Sequence, residues 1–578
     1  MPDRPWYRHY EEGVPHELDF SDDTVPEFLA RTIRDYADHP ALVFMNCRMT
    51  WRRLAGEVDR LATALHNLGV VKGARVAIQL PNLPQTAIAF LAVQRLGAQA
   101  VMTNPLYMPP EIEHQWKDAD CRVAVVADFV YDQKVRAIRD RLPVEHYVIA
   151  SIAEYLRFPL KQLAPLKLKR MNPPMAAKFS EEPGVHRFRT LIDSTPAMPP
   201  QVDIDIDDIS VIQYTGGTTG VSKGAVLTHR NLSSNAQQLT SWFLDLEPGR
   251  EVMLTAVPMF HIFGISVGLV WPVSVGACVV LQANPRDIPV LVKNITREGV
   301  TLFPGVPALF NAVNQFPGIE KQDVSSVKSC FSGSAPLPED VQNRFEKLTG
   351  ARITEGFGLT ETSPVVSANP LKGLRKIGSI GIPMPSTDVK IVDPDDGITE
   401  VKQGEAGELI VKGPQVMQGY WGRPNETANA IRNNWFYTGD LATMDEDGFL
   451  RIVGRKKDMI LASGYNVFPD EIDRVLASHP KVSESCTIGI PDPKRGETIK
   501  SFVVALPGET VTVEELEALC RENLAAYKVP RQWEFREELP KSTMMKLLRR
   551  VLRDESIEMM RAHGEELEDE ATGGETSS

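Results

Sequence analysis

Ile209-Ser210-Val211-Ile212-Gln213-Tyr214-Thr215-Gly216-Gly217-Thr218-Thr219-Gly220-Val221-Ser222-Lys223-Gly224-Ala225-Val226-Leu227-Thr228-His229 decides how the rest of the chain is read. The apolar run Ile209 to Tyr214 predicts a strand, and Ala225 to His229 predicts another. The glycines between them let backbone N–H groups turn toward one centre. Thr218, Thr219 and Ser222 add hydroxyl donors and Lys223 adds positive charge, so the loop suits a polyphosphate. It is not a Walker A loop, which needs Gly-Lys followed at once by Ser or Thr at the head of a helix. Here Lys223 lies between Ser222 and Gly224. Gly/Thr/Ser clusters between strands are often plain turns; the length of this one and its lysine argue for a ligand.

Outward from that loop, strand-like runs alternate with helical patterns from about Thr24 to Asn284: Arg75 to Leu80 then Thr86 to Leu96, Arg122 to Ala127 then Tyr131 to Arg141. That rhythm predicts parallel α/β layers. Between Gly373 and Gly454 short strands and turns take over (Asp388 to Val392, Gly407 to Lys412, Gly448 to Val453). After Arg455 an α+β pattern follows, with helices over Pro469 to Ser478 and Val513 to Leu524 and strands near Val482 to Ile490 and Lys500 to Leu506. The expected fold class is α/β. A large amino-terminal domain, residues 1–456, combines layered α/β with a β-rich subdomain, and a small mobile α+β domain spans 457–562. Residues 563–578, acidic and then rich in Gly, Ser and Thr, read as a disordered tail.

A net charge of -13 disfavours nucleic acid as a partner. The six cysteines form no C-x-x-C pair, which suits buried thiols in a reducing compartment. The amino terminus lacks the apolar centre of a signal peptide, so cytoplasmic residence is expected. No Asp, Glu, Lys or Arg occurs from Val252 to Pro285, a length able to cross a bilayer. Pro258, Pro272 and three glycines interrupt it, and it reads as a strand, a buried helix and another strand. From Tyr155 to Ser180 there is no acidic residue, while Arg157, Lys161, Lys167, Lys169, Arg170 and Lys178 are interleaved with leucines and Phe158. Two readings stay open: peripheral contact with an anionic inner membrane face, or a solvated excursion whose leucines pack back on the domain. Pro159, Pro165, Pro173 and Pro174 argue against one continuous helix.

Further clusters carry chemistry. Gly356-Phe357-Gly358-Leu359-Thr360-Glu361-Thr362 offers close backbone approach, a flat ring for a base, and a hydroxyl beside a hard carboxylate of the kind that holds Mg²⁺ near phosphates. Asp440, read at the tip of a strand-turn, suits ribose hydroxyls, with Arg455 as a further donor. His261 opens the charge-free stretch and suits the mouth of an apolar acid pocket, although a histidine among apolar neighbours is more often a satisfied core residue. Leu539-Pro540-Lys541-Ser542-Thr543-Met544-Met545-Lys546-Leu547-Leu548-Arg549-Arg550 reads, alone, as a solvated basic helix start.

These strings stand in the order found in the adenylate-forming acyl-CoA synthetases, and the resemblance runs over nearly the whole chain. Asn284-Pro285-Arg286-Asp287-Ile288-Pro289, Gly413-Pro414-Gln415-Val416-Met417-Gln418-Gly419-Tyr420-Trp421 and Arg455-Lys456-Lys457-Asp458-Met459-Ile460 make it most similar to the bacterial long-chain fatty-acid CoA ligases. The resemblance implies ATP, Mg²⁺ and coenzyme A, with a long-chain fatty acid as the second substrate. Thr215, Gly216, Gly217, Thr218, Thr219, Gly220, Ser222 and Lys223 would hold the β- and γ-phosphates. Gly333, Ser334, Ala335 and Pro336, with Gly356, Phe357 and Gly358, match the adenine shelf. Thr360 and Glu361 match the α-phosphate and metal contacts, Asp440 and Arg455 the ribose binders, and His261 the residue near the carboxylate. Lys457 takes the hinge position, Lys546 that of the mobile catalytic lysine, and Gly464 with Tyr465 the face presented to pantetheine.

Two departures stand out: Met545 occupies the place of the family's glycine, and Phe357 that of a common tyrosine. Other outcomes stay open at this point: medium-chain or aromatic acids, transfer to a carrier protein, or a weakened acyl-adenylate binder. Assembly as a homodimer also stays open.

Overall fold

Buried, β-branched runs set the frame of the first of two compact units, residues 1–389 with 411–436; the second comprises 390–410 with 437–578. The computed structural model describes residues 4–179, 182–215, 222–462, 465–492, 496–542 and 547–562. In the first unit an eight-stranded sheet has Arg75–Gln79 near its middle, parallel to both Gln99–Met102 and Val123–Ala127, with Ile209–Thr215 parallel to Gln99–Met102. Gln99–Met102 and Val123–Ala127 are buried at every position, as strands covered on both faces must be.

A second sheet of nine strands contains Leu302–Gly305, Ser329–Ser332 and Arg352–Gly358, parallel and side by side. Under it Phe303, Phe310 and Phe345 form a buried aromatic cluster, with ring centroids of Phe310 and Phe345 5.0 Å apart. The charge-free stretch resolves into the strand Val252–Thr255, the helical turns Phe263–Val270 and Trp271–Val275, and the strand Cys278–Leu281. Phe263–Val270 is buried throughout. Among the described residues no helix is long and apolar enough to cross a membrane.

The second unit contains a sheet in the order Tyr465–Val467, Ile460–Ala462, Gly496–Ala505 and Val482–Asp492, with Gln532–Phe535 alongside Gly496–Ala505. Helices Pro469–Ala477 and Val513–Asn523 pack on it through Ile472, Leu476 and Leu516. It also holds most of a β-rich sheet including Asp388–Val392, Gly407–Lys412, Trp435–Met444 and Leu450–Arg455.

Two local expectations need correction. Tyr131 to Arg141 is not one regular helix: a wide turn over Tyr131–Val135 gives way to a tight one over Arg136–Arg141. The basic segment is not one continuous helix, but Pro165 does not interrupt it as expected: Leu160–Lys169 is helical and runs through that proline. Proline there removes one interior hydrogen bond, and water can take the released carbonyl because this helix has no buried residue. Leu160, Leu163 and Leu166 do not pack back, being 40%, 55% and 60% exposed, and Phe158 is 78% exposed, while Leu168 is half-buried.

These environments separate two truncations. Phe310→Ala should cost about 3–5 kcal/mol of stability, whereas Leu163→Ala should fall within about 0.5 kcal/mol, both read from urea unfolding. Equal costs would contradict the core and surface assignments.

Candidate active site

The strands flanking the glycine-rich loop pair antiparallel as Ile209–Thr215 and Lys223–Thr228, with Tyr214 opposite Gly224 and Thr215 opposite Lys223. The chain therefore leaves and re-enters this ladder at directly opposed residues. Gly216, Gly217, Thr218, Thr219, Gly220 and Val221, between them, lie outside the described residues. Gly224 is required by crowding, since a Cβ there would come 2.6 Å from Ile212 Cγ2. The helix Pro109–Asp118 braces both ends of the loop. Tyr214 Oη donates to Asp118 Oδ2 at 2.6 Å, and His114 Nε2 lies 3.0 Å from the Ser222 carbonyl oxygen. Burial, followed by the bond to Asp118, pushes the Tyr214 phenol well up, so it stays a donor.

The carboxyl ends of the neighbouring parallel strands carry the next two groups. Ser332 stands opposite Glu355, so Gly333–Pro336 and Gly356–Gly358 emerge side by side. The Glu355 side chain accepts from Leu337 N–H at 3.0 Å and fixes the end of the first segment. Ser334 holds a left-handed backbone, φ 72°, and is exposed with Ala335 and Pro336. A Cβ at Gly356 would meet Phe331 Cζ at 2.4 Å, and one at Gly358 the Pro364 carbonyl oxygen at 2.0 Å. Phe357, between them, is half-buried. The chain then makes a tight helical turn over Thr360–Thr362, leaving Thr360 and Glu361 half-buried.

What holds that turn was not legible from its own sequence. Met417 N–H donates to the Glu361 carbonyl at 2.8 Å, and Tyr420 Oη donates to Glu361 Oε1 at 2.8 Å. Gly419 and Tyr420 pair antiparallel with Val226 and Ala225 of the strand that leaves the loop. The Lys223 ammonium lies 5.6 Å from the centroid of the Tyr420 ring. Behind them runs the helix His229–Trp242, whose Thr228 cap accepts from Asn231 N–H at 3.2 Å. Asn231 donates to the carbonyls of Pro414 and Val416, both at 2.8 Å; Asn235 donates to that of Val365 at 2.9 Å; Gln238 donates to that of Pro385 at 2.8 Å. Three amides at helical spacing were the available signal, since side chains that polar on one helix face need partners when buried.

His261 begins where the charge-free stretch turns into its helix. Its Nδ1 accepts from Phe263 N–H at 3.3 Å, and the ring is half-buried. Asn82 fixes the approach by donating to the carbonyls of Thr255 and Val257 and accepting from Met259 N–H at 2.8 Å. Gln213, two residues before Thr215, donates to the Phe260 carbonyl at 3.0 Å. Ser266 donates to the Ser363 carbonyl at 2.7 Å. The apolar helix, the loop's entry strand and the Glu361 turn thus share one seam.

In the second unit Asp440 is not at a strand tip. It lies inside Trp435–Met444, directly after a left-handed Gly439, opposite Arg455 on the next strand. Arg455 Nε lies 2.9 Å from the buried Asp440 Oδ1. Lys457 is exposed. Gly464 and Lys546 lie outside the described residues, as does Met545, and nothing is described of the Tyr465 side chain. Lys541 pairs with Leu547 across 543–546, and Leu548 N–H donates to the Pro540 carbonyl at 2.9 Å. Arg549, directly beyond, is clamped by Asp470 and by Asp473 at 2.5 Å. Burial would lower the Arg549 pKa, but Asp473 and Asp470 more than offset it, so the cation is retained.

Among the described residues no group of three or more His, Cys, Asp or Glu gathers into a metal cage. Glu361 beside the Thr360 hydroxyl fits Mg²⁺, which binds through one or two carboxylates with phosphates and water filling the remainder.

Residues 29–421 match the model of the AMP-binding enzyme family, and 471–546 that of the AMP-binding enzyme C-terminal domain. A long-chain-fatty-acid–CoA ligase of Bacillus subtilis is 40% identical over 558 residues, 96% of this chain and 98% of the relative. Its counterpart from Yersinia pestis is 42% identical, covering 96% and 99%. Among solved structures, ATP-bound MatB from Rhodopseudomonas palustris superposes with a TM-score of 0.81 at 27% identity, over 93% of this chain and all of that one.

The crowding at Gly264 gives a test of the seam. A Cβ there would stand 2.0 Å from the Pro258 carbonyl oxygen, whereas one at Gly333 would meet nothing nearer than 3.7 Å. Gly264→Ala should lose at least ~2 kcal/mol by overpacking, with Gly333→Ala near wild type in the same melting experiment. A Gly264→Ala protein as stable as wild type would show that the Pro258–Gly264 packing is wrong.

Proposed function

Because the chain belongs to the AMP-binding enzyme family, we propose that it is a long-chain fatty-acid CoA ligase, forming acyl-AMP from the acid and ATP and then transferring the acyl group to coenzyme A. The observation that carries this is the seam. Lys223 and Glu361, suited to a polyphosphate and its metal, are tied through Gln213, Ser266 and their neighbours to the fully buried, charge-free helix Phe263–Val270 that follows His261. Phosphate chemistry and an apolar acid are served at one place. The full-length relatives named as long-chain ligases support the long acyl chain.

In the first half-reaction a carboxylate oxygen bonds to the α-phosphorus in line, the bond to the bridging oxygen breaks, and pyrophosphate leaves. Bound Mg²⁺ would neutralise phosphoryl charge, with Glu361 holding it. Lys223 meets the outer phosphates and Thr360 the α-phosphoryl oxygens, donors fixed in advance of the charge that develops. Asp440 accepts from the ribose hydroxyls, with Arg455 held beside it. Lys546 adds its ammonium to the α-phosphoryl oxygens. In the second half-reaction the thiol sulfur attacks the acyl carbon, the carbon–oxygen bond to phosphate breaks, AMP leaves, and the thiol proton passes to solvent. Residues 457–562 as a mobile domain hinged at Lys457 belong to this reading, as does Gly464 on the pantetheine path, where a side chain would obstruct the thiol.

We also propose that the segment around Leu160–Lys169 rests on an anionic bilayer at its cytoplasmic face. Exposed Phe158, Leu163, Leu166 and Met171 stand among Lys161, Lys167, Lys169 and Arg170, and no acidic residue interrupts them.

Pyrophosphate exchange with acids of increasing chain length tests the substrate. Exchange should peak with long-chain acids, and exchange confined to short or aromatic acids would reject the reading. Lys546→Ala should suppress acyl-AMP formation by at least ~100-fold, the scale of removing one fixed charge from the transition state, while sparing CoA transfer to supplied acyl-AMP. Equal loss of both steps would contradict its role. Replacing Lys161, Lys167, Lys169 and Arg170 together by alanine should weaken binding to phosphatidylglycerol vesicles at low salt, and unchanged binding would reject membrane docking there.

A further inference from the structure

Tyr420 lies 59 residues from the carboxylate it touches and 197 from the lysine under its ring. Its backbone is fixed by contacts that use neither of those side chains. Gly419 and Tyr420 pair with Val226 and Ala225, and Tyr420 N–H donates to Thr427 Oγ1 at 2.9 Å. Thr427 Oγ1 in turn donates to the Arg423 carbonyl at 2.8 Å. Gly419 lets the strand pass this close, since a Cβ there would come 2.5 Å from Thr427 Cγ2. The ring is thus held by a short strand and a capped turn before any ligand arrives.

From that fixed ring two charged groups take their places. The phenol O–H donates to Glu361 Oε1 at 2.8 Å, a charge-assisted bond that sets the carboxylate plane. The electron-rich face lies 5.6 Å from the Lys223 ammonium, within the range at which a cation is attracted to a ring. The Glu361 main chain is gripped by the same segment through Met417 N–H at 2.8 Å. Orientation of a metal-binding carboxylate by a neighbouring donor governs how well it binds the ion.

We propose that Tyr420 is a positioning residue for the metal–nucleotide complex, fixing the Glu361 carboxylate through its hydroxyl and the Lys223 ammonium through its ring so that both are preset in relation to one another. The inference rests on the reading that this site binds Mg²⁺–ATP. It makes the two parts of the side chain separable. The hydroxyl acts through Glu361 and therefore through the metal; the ring acts through Lys223 and therefore on the phosphates even without metal.

The test is equilibrium binding of the α,β-methylene analogue of ATP to the full chain by calorimetry, with Mg²⁺ and with EDTA. Tyr420→Phe keeps the ring, and should weaken binding about tenfold with Mg²⁺, the scale of one lost hydrogen bond to a charged group, with little change in EDTA. In a Glu361→Gln background Tyr420→Phe should add less than about twofold, because the metal-binding carboxylate through which the hydroxyl acts is already replaced by a neutral amide. Tyr420→Leu should show a further loss that persists in EDTA. Tyr420→Phe binding within twofold of wild type in Mg²⁺, or losses that multiply in the Glu361→Gln background, would overturn the positioning role. If wild type fails to bind the analogue at all, the nucleotide reading falls and the inference with it; if wild type binds and only the variants fail to differ, the inference alone falls.

Discussion

The short pairing of Gly419 and Tyr420 with Val226 and Ala225 is the constraint on which the first unit's site depends. A sheet edge has unpaired N–H and C=O groups, and here a returning segment from nearly two hundred residues further on satisfies them. Because the paired strand begins at Lys223, everything bonded to the returning segment is placed in register with the end of the glycine-rich loop. Glu361 is bonded to it twice, through its carbonyl and its side chain. Without this addition the 360–362 turn and the loop would be referred to one another only through the seam of Gln213 and Ser266.

Amides do for the backbone what this strand does for the side chains. Asn231, Asn235 and Gln238 are buried polar groups whose donors end on carbonyls of segments far apart in sequence. An unmet buried carbonyl costs about 1–3 kcal/mol, so each such bond selects one loop path among many. The glycines act in the complementary sense. Gly264, Gly356 and Gly358 stand where a carbonyl or a ring occupies the space a Cβ would need. Polar side chains pull the loops in, and absent side chains allow them to close.

The fold class was legible because its signals are periodic. The Asp388–Val392 and Gly407–Lys412 strands coincide with the sequence reading, and the charge-free stretch gave strand, helix and strand because its glycines and prolines interrupt hydrophobicity at the right places. Pro165 reads as an interruption from the sequence, yet the helix Leu160–Lys169 runs through it because no side chain there is buried and water can meet the freed carbonyl. A glycine such as Gly439 reads as a turn from the sequence, whereas in its left-handed conformation it sits within a strand and leaves Asp440 inside that strand. The strings carrying Thr215, Glu361 and His261 were visible as chemistry. The roles of Tyr420, Asn82 and Asp118 were not, since each acts on a partner remote in sequence. In the second unit the same holds for Arg549, whose charge reads as solvated surface until Asp470 and Asp473 are found beside it.

Chemistry at this site depends on where the triphosphate lies. A crystal structure of the full chain with Mg²⁺ and a non-hydrolysable ATP analogue tests that most directly. It should show the outer phosphates against Thr215 and Lys223, with the metal on the Glu361 carboxylate. A triphosphate bound away from that loop, or a metal with no contact to Glu361, would contradict it.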